Sequence, residues 1–129
     1  MADPMGFIEE TPPGRLGITG YRSGAFRIGA DWRQGNLLLL PDSVVDWSVG
    51  DASQLTVESL AAVRDLEPAA EILLVGLGER APLLPFALRK ELSAWGLSAE
   101  AMPTPSACRT FNLLLAEDRR VVAGLVAMP

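Results

Sequence analysis

Apolar and polar positions along this chain come in short alternating runs at first and in longer periodic segments later. Phe7 to Glu10 and Leu16 to Tyr21 read as short strands on either side of the turn signal Thr11-Pro12-Pro13-Gly14. Phe26 and Ile28 alternate with Arg27, the pattern of a half-exposed strand. Asn36 to Leu40 is an apolar run stopped by Pro41, which predicts a strand buried on both faces. Val44 to Val49 is a further strand candidate, so the first fifty residues read as β-rich.

The rest of the chain alternates between helix and strand signals. Thr56 is placed to cap a helix running to about Leu66, with Leu60 and Val63 toward the core and Pro68 beyond its end. Ile72 to Val75 predicts a buried strand. Pro82 and Pro85 suit the first turn of a helix, where a missing N–H does least harm. Leu84, Leu88, Leu92 and Trp95 then form one apolar stripe, and Gly96 ends the helix. Ser98 to Met102 reads as a strand. Thr104 is expected to cap a helix to about Glu117, its hydroxyl accepting from the N–H of Ser106 or Ala107, with Pro105 in the first turn. Val121 to Ala127 is a closing strand. These elements predict an α/β fold: one domain over residues 1–129, with a central mixed sheet, three helices and an N-terminal antiparallel β region.

Composition narrows the chemistry. With 129 residues, 49% of them hydrophobic, the chain can bury a substantial core. No apolar run approaches the roughly 20 residues of a membrane-spanning helix, so membrane insertion is not expected. The N-terminus carries neither a secretory nor a transit pattern, and a cytoplasmic location is the simplest expectation. The net charge of −5 argues against nucleic acid as a partner. The chain has no His and one Cys, which excludes a His-containing triad, a Cys–His dyad, an intrachain disulfide and a thiolate–imidazole zinc site. No catalytic residue, cofactor or metal site is assigned.

Two segments carry candidate chemistry, the second of them with a cysteine inside it. Gly76-Leu77-Gly78-Glu79-Arg80-Ala81 matches G-x-G-x-x-A after a buried strand, and Glu100 lies at a fitting distance for a ribose contact. Pro82 and Pro85, however, remove N–H groups that a pyrophosphate would need, and the remaining chain is short for a second nucleotide-binding half. A tight glycine turn is the preferred reading. Arg109 and Asn112, three residues apart, share a face near the helix start at Thr104. They either line an anion pocket with the backbone N–H groups near Thr104 or pin neighbouring loops. Cys108 is either a small buried hydrophobe or, beside Arg109 near a helix N-terminus, a thiol of lowered pKa. Tyr21, Trp32, Trp47 and Trp95 are expected to pack.

The order and spacing of several segments resemble the Mth938-type domain family. They are the glycine-bearing stretch Tyr21 to Ile28, Leu37 to Pro41, Val45-Asp46-Trp47, Leu74 to Gly78, Thr104 to Asn112, and Arg119 to Ala123. The resemblance spans nearly the whole chain. It implies a three-layer fold around a mixed sheet, with no established catalytic activity. Its mitochondrial members are scaffolding factors for a respiratory complex, and this chain looks like a short bacterial member. The leading expectation is therefore a non-enzymatic interaction or assembly protein, whose partner is another protein that could be membrane-associated. The alternative is a binder or enzyme for a small anionic metabolite. Both readings use a cleft between the turn Gly76, Gly78, Arg80 and the helix start Thr104, Arg109, Asn112.

Overall fold

The structure is a computed structural model and describes residues 6–7, 16–80 and 82–129. The expected turn at Thr11 to Gly14, most of the strand expected from Phe7 to Glu10, and Ala81 lie outside the described residues. Four strands come first: β1 (Gly6–Phe7), β2 (Ile18–Arg22), β3 (Ala25–Ile28) and β4 (Asp31–Gln34). They form an antiparallel sheet in that order, the β region expected from the alternating N-terminal pattern. Arg22 lies over the Trp32 ring, 4.2 Å from its centroid, on this sheet.

The second sheet is mixed. It contains β5 (Leu37–Leu39), β6 (Val44–Asp46), β7 (Ile72–Leu77), β8 (Ser98–Met102) and β9 (Val121–Val126), in the order β6-β5-β9-β7-β8. β9 is antiparallel to β5 and parallel to β7, so the last strand in sequence is the middle of the sheet. The helices are α1 (Ala61–Arg64), α2 (Phe86–Ala94) and α3 (Thr104–Ala116).

Side chains alternate across a strand, and here both faces are covered. On one face Leu38, Leu73, Val75, Val122 and Val126 pack with Trp47, Leu60, Val63, Leu88 and Leu92. On the other, Leu37, Leu39, Leu74, Val121, Ala123 and Leu125 meet Phe111, Cys108 and Ala107 of α3 and Ile18, Phe26 and Ile28 of the small sheet. This gives three layers, with the mixed sheet in the middle. Double coverage is why Leu37 to Leu40 and Val121 to Val126 read as continuous apolar runs.

Gly124 breaks the second of these runs for a packing reason. A Cβ there would lie 2.5 Å from Trp47 Cη2, because the indole ring rests flat on the strand at that point. The ring is buried and its Nε1–H donates to Ser59 O at 2.9 Å.

The segment expected to be one helix from Thr56 is a 3-10 turn (Glu58–Leu60) running into α1. Thr56 and Ser59 cap it reciprocally: Ser59 N donates to Thr56 Oγ1 at 3.2 Å, and Thr56 N to Ser59 Oγ at 3.1 Å. Helix α2 begins one turn later than the prolines suggested, with Pro85 at its N-cap and Pro82 outside it. Gly96, at φ +76°, ends it, and Leu97 N then bonds to Leu92 O at 3.1 Å.

Candidate functional site

The turn after β7 and the start of α3 meet directly. Thr104 N donates to Gly78 O at 2.8 Å, and Gly78 N donates back to Thr104 Oγ1 at 2.8 Å. The same hydroxyl donates to Val126 O at 2.6 Å. Thr104 is wholly buried. This corrects the sequence expectation for its hydroxyl, because Pro103 is the N-cap residue and no side chain caps α3. The backbone groups at the ends of β7 and β9 are buried and need partners, and Thr104 supplies both a donor and an acceptor to them.

Gly76 has a different role in the same place. An added Cβ would lie 3.0 Å from Thr104 Cα and 3.1 Å from Ala107 Cβ, so Gly76 lets α3 lie close on the strand. Gly78, at φ +78°, makes the turn itself. The nearest following helix, α2, starts only at Phe86. Gly78 therefore makes the tight turn that was expected, and Gly76 serves a close helix–strand approach that the turn reading did not include.

Asn112 is buried and clamps one residue of β2. Its Oδ1 accepts from Ile18 N at 3.0 Å and its Nδ2 donates to Ile18 O at 2.6 Å. That fastens the small sheet to α3, in keeping with the pinning alternative for Asn112. Arg80 and Arg109 are exposed. The structure thus brings Gly76, Gly78 and Thr104 into contact and puts Arg109 on the same helix, while the polar groups of Gly78, Thr104 and Asn112 face internal partners.

Cys108 is fully buried, and burial pushes its thiol up to about 12, outweighing the nearby Arg109 charge that pulls the other way. The buried-hydrophobe alternative is the one the structure shows. Below that pH the thiolate is scarce and solvent cannot reach it. Native protein at pH 8 is expected to leave a thiol reagent unreacted over the time in which urea-unfolded protein reacts fully; rapid labelling of the native state would contradict this placement.

Thr104→Val tests the stitch. Valine keeps the shape and leaves Gly78 N–H and Val126 C=O without their partner, at a cost of about 2–4 kcal/mol. Thr104→Ser, which keeps the hydroxyl and loses one methyl, should cost about 1 kcal/mol. Urea unfolding of the two variants reads the difference, and equal losses would mean that the hydroxyl's bonds contribute little.

Two features escaped the sequence reading. Asn36 joins distant segments: its Nδ2 donates to Val49 O at 3.0 Å, and its Oδ1 accepts from Ala127 N at 2.8 Å. The other lies around α2, where Leu83 and Phe86 are 90% and 80% exposed. They fall off the stripe through Leu84, Leu88 and Leu92, and an apolar residue off the buried stripe was the available signal. Beside them, between α2 and β8, runs an open groove of about 650 Å³ lined in part by Phe86, Arg89, Lys90 and Ala99. A second hollow of about 310 Å³ has Leu40, Leu66, Pro68 and Leu115 among its lining, with Arg119 and Arg120 beside them. Arg119 there bonds Glu71 at 2.8 Å and holds its carboxyl below the usual range. Among the described residues, no group of three or more His, Cys, Asp or Glu is placed to hold a metal. No helix among them is long and apolar enough to cross a membrane.

A family model described as a protein of unknown function (DUF498/DUF598) matches residues 18–126, which include both sheets from β2 onward and all three helices. The chain belongs to the DUF498/DUF598 family. Among its relatives is a zebrafish (Danio rerio) protein named NADH dehydrogenase [ubiquinone] 1 alpha subcomplex assembly factor 3, 37% identical over 112 residues. That match covers 87% of this chain and 64% of the zebrafish protein, so the chain spans a little under two thirds of that relative's length. A solved structure from Bordetella pertussis, described as a Mth938-like domain, superposes with TM-score 0.77 at 27% identity, covering 94% of this chain and 93% of the other. A crystal structure from Bartonella henselae, described as an outer membrane protein, superposes with TM-score 0.82 at 35% identity, covering 91% of this chain and 98% of that one. The DUF498/DUF598 fold is thus the three-layer Mth938-like arrangement that the resemblance implied, and the family includes proteins named as assembly factors.

Proposed function

We propose that this chain is a non-enzymatic protein-interaction domain of the cytoplasm that acts in the assembly of a larger complex. The observation that carries this reading is the match to an assembly factor over 87% of the chain. Such a protein must hold a partner without changing it. That fits a fold whose one thiol is buried and pushed up to about 12, in a sequence with no His to move protons near neutrality. The partner is a protein subunit, which could be membrane-associated. Arg80, just past the turn, and Arg109, on the helix that meets it at Gly76, Gly78 and Thr104, offer charge to it, while Asn112 fastens the small sheet to the same helix.

The test is affinity capture with in-cell cross-linking from native cells, from both soluble and membrane fractions, followed by mass spectrometry of proteins and small molecules. The expected result is a specific protein recovered in stoichiometric amount. Recovery of one stoichiometric metabolite and no protein would overturn the reading.

A further inference from the structure

Among the described residues, β8 is an edge of the mixed sheet, paired on one side only, with β7. Ser98 N donates to Glu71 O at 3.0 Å, so the backbone groups of Ser98 face inward toward β7. Backbone groups alternate along a strand, so those of Glu100 and Met102 also face inward and those of Ala99 and Ala101 face the open side. The side chains of Ala99 and Ala101 pack against the core on the α2 side of the sheet. Such an edge is a template for another strand. The groove of about 650 Å³ and a smaller one of about 80 Å³ both touch Ala99 and share Arg89, and the second brings in Leu83. Leu83 and Phe86 leave apolar surface exposed beside the open edge.

The geometry points to strand addition: β8 accepts an extended segment of a partner protein, apolar and acidic on its α2 side. This deepens the assembly reading and rests on it. Three observations select the occupant. The open backbone of Ala99 and Ala101 asks for an extended chain, because only main-chain N–H and C=O groups match that spacing. Exposed Arg89 and Lys90 form a basic site beside the groove in a chain of net charge −5, which favours carboxylates on the side that faces them. Self-pairing is opposed by Glu100. A second copy in full antiparallel overlap would set Glu100 directly opposite its own counterpart at the centre of the pair, and like charges there destabilise. A partner strand with a basic residue at that position meets no such penalty.

The probe is a short fluorescent peptide alternating Val and Glu on one face with Thr and Lys on the other. Its controls are the same peptide interrupted by proline and one with the charges exchanged. Anisotropy should show binding to the wild type that is at least about tenfold weaker for either control, since one lost contact of this kind shifts affinity by that order. Ala101→Pro removes an outward-facing N–H at an edge, where proline is tolerated, and Arg89→Glu with Lys90→Glu reverses the charge on an exposed helix face. Each should weaken binding by about tenfold while the urea midpoint stays near wild type. Nuclear magnetic resonance should show the amides of Ala99 and Ala101 shifting with the peptide. Equal binding of the proline control, unshifted amides at these two residues, or dimerisation of the chain through β8 would each overturn the proposal. A captured native partner that still binds these variants at wild-type strength overturns this surface and leaves the interaction reading intact. Peptide binding at the edge with no protein captured from cells does the reverse.

Discussion

Gly124→Ala is expected to destabilise the protein by about 3 kcal/mol, near the upper end for overpacking. In a domain of this size that is a fall of about 10 °C in melting temperature. The loss is large because neither partner can yield. Gly124 lies in the middle strand, opposite Leu38 of β5 and Val75 of β7, so its backbone is fixed on both sides. The new methyl would lie 2.5 Å from Cη2 and 2.8 Å from Cζ2 and Cζ3 of Trp47. Those atoms belong to a rigid ring anchored by its bond to Ser59 O, with no flexible end to swing away. Trp47→Leu should be destabilising alone, yet in the double variant the two losses should fall short of their sum by more than about 1 kcal/mol, as for residues in direct contact. A Gly124→Ala protein within about 0.5 kcal/mol of wild type would show that the ring does not rest there.

Asn112→Ala is expected to cost about 3 kcal/mol, because it strands both the N–H and the C=O of Ile18 away from water. Asn112→Asp separates the bonds from the shape. A carboxylate accepts from Ile18 N but turns a second acceptor toward Ile18 O, and it buries a charge. The protonated acid donates to that oxygen and fits. The folded state therefore favours the proton and raises the Asp pKa above its unfolded value of about 3.9. Relative to wild type, the variant should be least destabilised below about pH 4. Its penalty should grow as pH rises and be complete once the folded-state carboxyl ionises. Urea unfolding of both proteins across this range reads the difference, and a penalty independent of pH would mean that residue 112 does not face Ile18 as the structure has it.

How much was legible in the sequence depended on the range of the interaction. β8 was readable residue for residue, and the two apolar runs that became β5 and β9 were readable because burial on both faces leaves no polar alternation. Gly96 was readable because a helix end is a local event. The role of Thr104 was not, since its partners Gly78 and Val126 lie 26 and 22 residues away and only the folded sheet brings them to one hydroxyl. Asn36 was missed for the same reason, its bond to Ala127 spanning 91 residues. Gly124 did carry a signal. A glycine inside an apolar strand run marks a close approach by something bulky, although nothing local names Trp47 as the residue that approaches. The exposed pair Leu83 and Phe86 was hidden by the conspicuous stripe beside it.

Placing β9 between β5 and β7 has a consequence for how a ribosome delivers this protein. A nascent chain that has reached residue 120 holds both flanks of the mixed sheet and lacks β9, which among the described strands is the one that joins them. Contacts of such sequence separation form late and slowly. Until residues 121–126 join them, the inner edges of β5 and β7 stay unpaired together, which makes this the interval in which a chaperone or a premature stop matters most.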